Sequence, residues 1–334
     1  MQSNKRNTNG LKIVVSILAT LVIGILGYVY SIYANVKDSM DIAYTPVEVE
    51  TFRTTNTGTV ADSTEAADEE SRAEAGALTP SELLEAGEPV SILLLGVDTG
   101  DLGRTEQGRS DSMVVLTINP HTQKTTLFSI PRDTYTEIVG NGTSDKINHA
   151  YAFGGTAMSI NTVQQMLDIP IDFYVMVNMA GIQEVVDAVG GITVESPLAF
   201  IQNGYDFVEG TNQLDGDAAL AFARMRYEDP AGDTGRQGRQ RQVIEGVIHK
   251  LATPETLLNY QTILQSLSSN VQTSFQLSDF YTLQNQDYLG AVDNINQQQL
   301  GGTGDMMNGI YYNFVDEAEL TRVHDLLQAE LELE

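Results

Sequence analysis

The chain has 334 residues, 42 % hydrophobic and 19 % charged, which is enough for one large domain or two small ones with a real core and excludes disorder throughout. Its formal charge of -27 repels nucleic acid phosphates, and no continuous basic face is legible, so a DNA or RNA partner is not expected. Cysteine is absent, which removes disulfides, thiolate zinc sites and thiol nucleophiles together.

Residues 1–12 carry Lys5, Arg6 and Lys12 without an acid, and residues 13–33, IVVSILATLVIGILGYVYSIY, are uncharged. At helical rise the second segment crosses the ~30 Å hydrocarbon layer. The cations ahead of it predict a cytoplasmic tail over 1–12, an uncleaved single-pass signal anchor over 13–33 in the cell membrane, and an extracytoplasmic remainder. A cleaved signal peptide would have a shorter apolar region and small residues at its end. Residues 34–77 read as an acidic flexible stalk, because 54–77 is small, polar and acidic and has almost nothing to bury.

Order is expected from Leu78. Residues 90–97, VSILLLGV, have the length of a buried strand and end in Asp98. Strands over 112–118 and 125–130 follow, with a turn at Asn119-Pro120, and their close spacing predicts antiparallel neighbours. Helices are predicted over 156–167 and 179–189, the latter closed by Gly190-Gly191, with a strand at 173–177 between them. A short helix over 215–223 and a longer one over 236–251 come next, and 254–286 reads as helical. In the tail, 309–315 reads as a strand and 316–331 as a helix with Glu319 three residues from its cap. The predicted fold class is α/β, a central mixed β-sheet flanked by helices, with the main outer domain over 78–280 and an acidic extension over 281–334 packed on it.

Five of the twelve arginines, Arg224, Arg226, Arg236, Arg239 and Arg241, fall within residues 223–242. Guanidinium forks match phosphate or carboxylate oxygens two at a time, so the knot implies a bound polyanion or a salt-bridge network with Glu228, Asp229 and Asp233. Arg236, Arg239 and Gln240 share a face at the start of a predicted helix, where free N–H groups already favour anions. Asp98 and Asp111 stand at ends of predicted strands; hard oxygen ligands without histidine or cysteine suit magnesium or manganese, and a plain strand-end role is the alternative for Asp98. Pro131-Arg132-Asp133 leaves the third strand at the same presumed edge. Lys146 and His149 read as loop residues, and the four histidines lack metal-ligand spacing. Neither a G-x-S-x-G elbow nor a Walker loop is present.

The segments Leu94-Leu95-Gly96-Val97-Asp98, Gly108-Arg109-Ser110-Asp111-Ser112, Ser129-Ile130-Pro131-Arg132-Asp133-Thr134 and Lys146-Ile147-Asn148-His149-Ala150-Tyr151, then Val189-Gly190-Gly191-Ile192, Leu214-Asp215-Gly216, Ala223-Arg224-Met225-Arg226 and the run from Asp233 to Gln240, together resemble the LytR-CpsA-Psr family. The resemblance covers about residues 90–251 in the family's order. It implies an envelope phosphotransferase that moves a glycopolymer such as teichoic acid or capsule from a polyprenyl-diphosphate carrier to a peptidoglycan hydroxyl, expected at C6 of N-acetylmuramic acid. By position it implies Mg²⁺ (or Mn²⁺) on Asp98 and Asp111, and a diphosphate surrounded by Arg109, Arg132, Arg224, Arg226, Arg236 and Gln240. Asp233 would orient Arg236, and Asp133 would lie in the same pocket. Many relatives have an arginine two residues after the first aspartate, where this chain has Gly100, with Arg104 nearby. A lipid-diphosphate hydrolase and a non-enzymatic sensor of lipid-linked precursors are the rival readings.

Overall fold

The computed structural model describes residues 43–47, 78–99, 107–253, 270–285 and 287–333. The expected tail over 1–12, the membrane span over 13–33, Gly100, Arg104 and positions 254–269 lie outside the described residues. Among the described residues, no helix is long and apolar enough to cross a membrane.

Fourteen strands and seven α-helices are formed among the described residues. They are α1 (Pro80–Ala86), β1 (Val90–Val97), β2 (Ser110–Asn119), β3 (Lys124–Ser129), β4 (Tyr135–Ile138), β5 (Thr143–Lys146), α2 (His149–Leu167), β6 (Phe173–Asn178) and α3 (Met179–Ala188). Next come β7 (Ile192–Ser196), β8 (Phe200–Gln202), β9 (Tyr205–Phe207), β10 (Gly210–Leu214), α4 (Gly216–Arg224) and α5 (Gly232–Leu251). The chain ends with β11 (Val271–Thr273), α6 (Leu277–Asn285), a 3₁₀ turn, β12 (Ile295–Gln299), β13 (Thr303–Met307), β14 (Ile310–Phe314) and α7 (Glu317–Glu330).

The central sheet runs β11-β6-β1-β2-β3-β12 and is mixed, as predicted: β1, β2 and β3 are antiparallel neighbours, whereas β6 on β1 and β12 on β3 are parallel. A continuous apolar strand needs cover on both faces. On one face Leu93, Leu95, Val97, Met113, Val115 and Phe128 form a buried cluster with Ile160 and Val163 of α2 and Val323 and Leu327 of α7. On the other, Ile92, Val114, Leu116 and Phe173 pack with Leu83 and Leu84 of α1, and Ile244 and Ile248 of α5 lie against them. Phe173 stacks on Phe275 at 4.1 Å between ring centroids. A third cluster, built on Val186, Ile192, Phe207 and Phe222, joins the β7–β10 ribbon to α3, α4 and α5 and fixes the turn between α4 and α5.

Several expectations need correction. The stalk predicted over 34–77 is not flexible throughout: Thr45 N–H donates to Thr273 O at 2.9 Å and Ala43 is buried. Tyr44 and Val47 give that stretch apolar surface to bury, which 54–77 lacks. The helix expected over 254–286 includes a strand, β11, which pairs antiparallel with β6. Helix α2 begins seven residues before the predicted start at 156, across a break where Gly155 takes φ 66°. Helix α5 begins at Gly232 rather than 236, so Asp233, not Arg236, occupies its first turn and suits the dipole there. Helix α6 runs through the boundary expected at 280.

Candidate active site

Asp111 owes its position to a β-bulge. The β1–β2 register passes from Gly96↔Ser112 to Val97↔Ser110, leaving Asp111 as the extra residue, a device that re-aims a side chain at a sheet end. Arg132 leaves β3 opposite it and donates from Nη1 to Asp111 Oδ1 at 2.7 Å. The Arg132 Nε also lies 3.8 Å from Asp133 Oδ2, and Asp133 Oδ1 accepts from Lys146 Nζ at 2.6 Å. One edge of the sheet thus carries alternating cations and carboxylates.

The first turns of α5 supply the facing wall. Arg236 Nε donates to Asp233 Oδ1 at 3.0 Å, Gln237 Nε2 donates to Asp233 Oδ2 at 3.0 Å, and Arg226 Nε stands 3.6 Å from Asp233 Oδ1. The two walls interact electrostatically: Arg132 senses Asp233, and Arg236 senses both Arg132 and Asp111. Burial pushes the Asp233 carboxyl up, but Arg236, Gln237, Arg132 and Arg226 outweigh it and hold the acid below its ordinary value. Burial also opposes the charge on Arg132, yet Asp111 and the other acids raise its pKa. Arg236 goes the other way: burial and the nearby Arg132 lower its pKa despite Asp233. It is 7 % exposed, and its Nη2, 2.8 Å from Asp233 Oδ1, is not aligned to donate to any described acceptor.

The remaining predicted residues are placed less centrally. Asp98 follows β1 and accepts from the Arg109 backbone N–H at 2.6 Å, while the Arg109 side chain is exposed. Glycine is required at 108, because a Cβ there would come within 2.0 Å of Asp98 Oδ1. Arg224 is the exposed last residue of α4, and Gln240 lies one turn below Arg236 on α5. Among the described residues, no group of three or more His, Cys, Asp or Glu could hold a metal ion. The carboxylates of Asp98 and Asp111 are hard oxygen donors of the kind that a divalent cation takes.

The arginine knot divides in two. Arg239 is 1 % exposed and donates to Asp229 Oδ2 and Met225 O, which fixes the turn that carries Arg226. Arg241 donates to Ser129 Oγ at 2.7 Å and Gln297 Oε1 at 3.1 Å, tying α5 to the sheet. Conversely, Lys146 and His149, expected in a loop, are the last residue of β5 and the first of α2. The signal that could have found them is the segment they share, Lys146-Ile147-Asn148-His149, one of those that carry the family resemblance.

Comparison with known proteins finds relatives in sequence and in fold. The family model described as "LytR_cpsA_psr family" matches residues 50–329. A protein of Enterococcus faecalis (strain ATCC 700802 / V583) named polyisoprenyl-teichoic acid–peptidoglycan teichoic acid transferase TagU is 44 % identical over 319 residues, covering 96 % of each chain. The crystal structure of B. subtilis TagU superposes with a TM-score of 0.61 at 43 % identity, over 74 % of this chain and 98 % of that one. A structure described as "TagT bound to LI-WTA" superposes with a TM-score of 0.62 at 29 % identity, over 75 % of this chain and 93 % of that one.

Proposed function

The chain belongs to the LytR-CpsA-Psr family, and from that membership we propose that it is a phosphotransferase moving a teichoic acid-type glycopolymer from a polyprenyl-diphosphate carrier onto peptidoglycan. The observation that carries the reading is Arg236, a buried guanidinium with an unaligned Nη2 beside Arg132 and Arg226. A guanidinium donor left unaligned among paired charges calls for a further acceptor, and phosphate oxygens supply one with matching geometry.

Phosphoryl transfer needs positioning and charge cancellation more than covalent help. The acceptor hydroxyl attacks the sugar-linked phosphorus and polyprenyl phosphate departs. Arg132, Arg226 and Arg236 neutralise the phosphoryl oxygens, Asp111 and Asp233 orient two of those forks, and Arg109, Arg224 and Gln240 complete the diphosphate contacts. Asp133 positions Lys146 at the same edge. Asp98 and Asp111 would hold Mg²⁺, which when bound supplies further cancellation of phosphate charge. The uncharged run over 13–33, preceded by cations, supports a single membrane anchor with the domain outside the cell, where lipid-linked donor and peptidoglycan meet.

The test is mass spectrometry of products formed by the full chain in detergent with Mg²⁺, a synthetic polyprenyl-diphosphate oligosaccharide and nascent peptidoglycan strands. A glycan joined to peptidoglycan through a phosphodiester is expected. Arg226→Ala and Arg224→Ala are each expected to slow transfer by about 100-fold or more with an unchanged melting temperature. Release of free glycan phosphate without transfer would assign a hydrolase, and lipid binding with no product a sensor.

A further inference from the structure

We infer that His149, oriented by Asp145, is the general base that removes the proton from the acceptor hydroxyl, a proposal that rests on the transferase reading. The imidazole Nδ1 lies 2.7 Å from Asp145 Oδ2, across the junction between β5 and α2. Burial pushes the Asp145 carboxyl up, but the hydrogen bonds from His149 and the Lys146 backbone hold it below its ordinary value, so the partner of the ring is a carboxylate. An ionised carboxylate accepts only, which puts the Nδ1 proton between them and leaves Nε2 with its lone pair directed away. The His149 side chain is 16 % exposed, shielded yet reachable.

Position links this dyad to the phosphate cluster. The Asn148 N–H donates to Arg132 O at 3.3 Å, the Ile147 N–H donates to Thr134 O at 2.8 Å, and Lys146 holds Asp133. The segment bearing His149 is therefore bonded along the loop that bears Arg132. Asp111, Asp133 and Asp233 are poorly suited to accept that proton, since Asp111 is occupied by Arg132, Asp133 by Lys146, and Asp233 by Arg236 and Gln237, while Asp98 already accepts from the Arg109 backbone N–H. A carboxylate already neutralised by a cation is a weak proton acceptor.

The surroundings suit a sugar. Phe153, one turn along α2, is 50 % exposed and meets the His149 ring edge-on at 5.8 Å. From β14, the Tyr312 hydroxyl donates to the other Asp145 oxygen at 3.4 Å, and its ring lies 5.7 Å from Lys146 Nζ. Among the described residues, the charged and titratable groups bonded or stacked about this dyad are Asp145 and Lys146 of β5, Asp133 behind Lys146, and Tyr312 of β14. The exposed Phe153 ring beside a polar dyad gives a glycan both a stacking surface and a partner for one hydroxyl, while the buried Tyr312 holds Asp145. In the step, the acceptor O–H proton passes to Nε2 as the acceptor oxygen bonds to the sugar-linked phosphorus. The bond from that phosphorus to the bridging oxygen breaks, and polyprenyl phosphate leaves with the electron pair. The imidazolium then returns its proton to that phosphate or to water.

The test is the pH dependence of transfer by the full chain with the synthetic lipid-diphosphate oligosaccharide and peptidoglycan strands, alongside donor binding by fluorescence. His149→Gln is expected to lower kcat about 100- to 10,000-fold with donor Kd unchanged, and to abolish the acid limb of the wild-type profile. Added imidazole is expected to restore part of the rate to His149→Ala, which a structural histidine would not permit. A His149→Gln variant that keeps the wild-type rate and acid limb overturns the assignment, as does a His149→Ala variant that added imidazole fails to rescue. If the wild type itself makes no phosphodiester product, it is the transferase reading that fails.

Discussion

Arg236 and Arg239 sit three residues apart on one helix and meet different fates. Arg236 faces the phosphate cluster beside Arg132, whereas Arg239, 1 % exposed, is sealed against Asp229 beneath the turn between α4 and α5. Removing one partner of a buried pair strands the other charge, so Arg239→Ala is expected to cost about 3–5 kcal/mol in urea denaturation. A loss below about 1 kcal/mol would mean that the pair behaves as an exposed one. The sequence displayed five arginines and three acids within 20 residues but not which acid each arginine reaches. That choice depends on the path of the α4–α5 turn, which the distant third cluster fixes. Asp111 and Arg132 could be placed at strand ends, whereas Asp233 fell outside the helix predicted from 236 and entered the site only through the family resemblance. The Asp145–His149 pair was not legible, because residue type alone cannot tell a loop histidine from the first residue of a helix.

At the scale of elements, β1, β2 and β3 declared themselves by apolar runs that only a sheet covered on both faces explains. The edge strand β12, INQQQ, offers no such pattern: its side chains are half-buried and its partner β3 lies far back in the chain. The β13–β14 hairpin did carry a signal, since Asn308-Gly309 between two short runs takes φ of 54° and 81°, the positive pair that a two-residue hairpin demands. Helix α7 closes one face of the sheet with Val323 and Leu327, both fully buried, and Asp316 caps it by accepting from the Glu319 N–H at 2.8 Å. Its burial makes the C-terminal extension part of the core. Leu327→Ala is therefore expected to destabilise the protein by about 2–5 kcal/mol, measured by chemical denaturation of the whole chain. A change within about 0.5 kcal/mol would instead mark α7 as an appendage that the domain does not need.

For the whole molecule, 45 acids against 18 basic residues set two opposing responses to acid. Acids without a cation nearby repel one another, and protonating them relieves the folded state. Asp145, Asp229 and Asp233 act in the opposite sense, since each has its pKa lowered in the fold by partners that outweigh the upward push of burial. A lowered folded pKa contributes stability that is complete above the unfolded carboxylate value of about 3.9 and is lost as pH falls through the still lower folded value. The melting temperature is therefore expected to change little as pH falls from about 8 to about 5, where carboxylates of ordinary pKa stay almost wholly ionised, and to drop steeply below about 4. The decline should be shallower in Asp233→Asn, which has no proton to take up at the site. A wild-type melting temperature that climbed below about pH 4 would mean that self-repulsion outweighs the ion pairs, and that the walls of the candidate site do not hold the fold together.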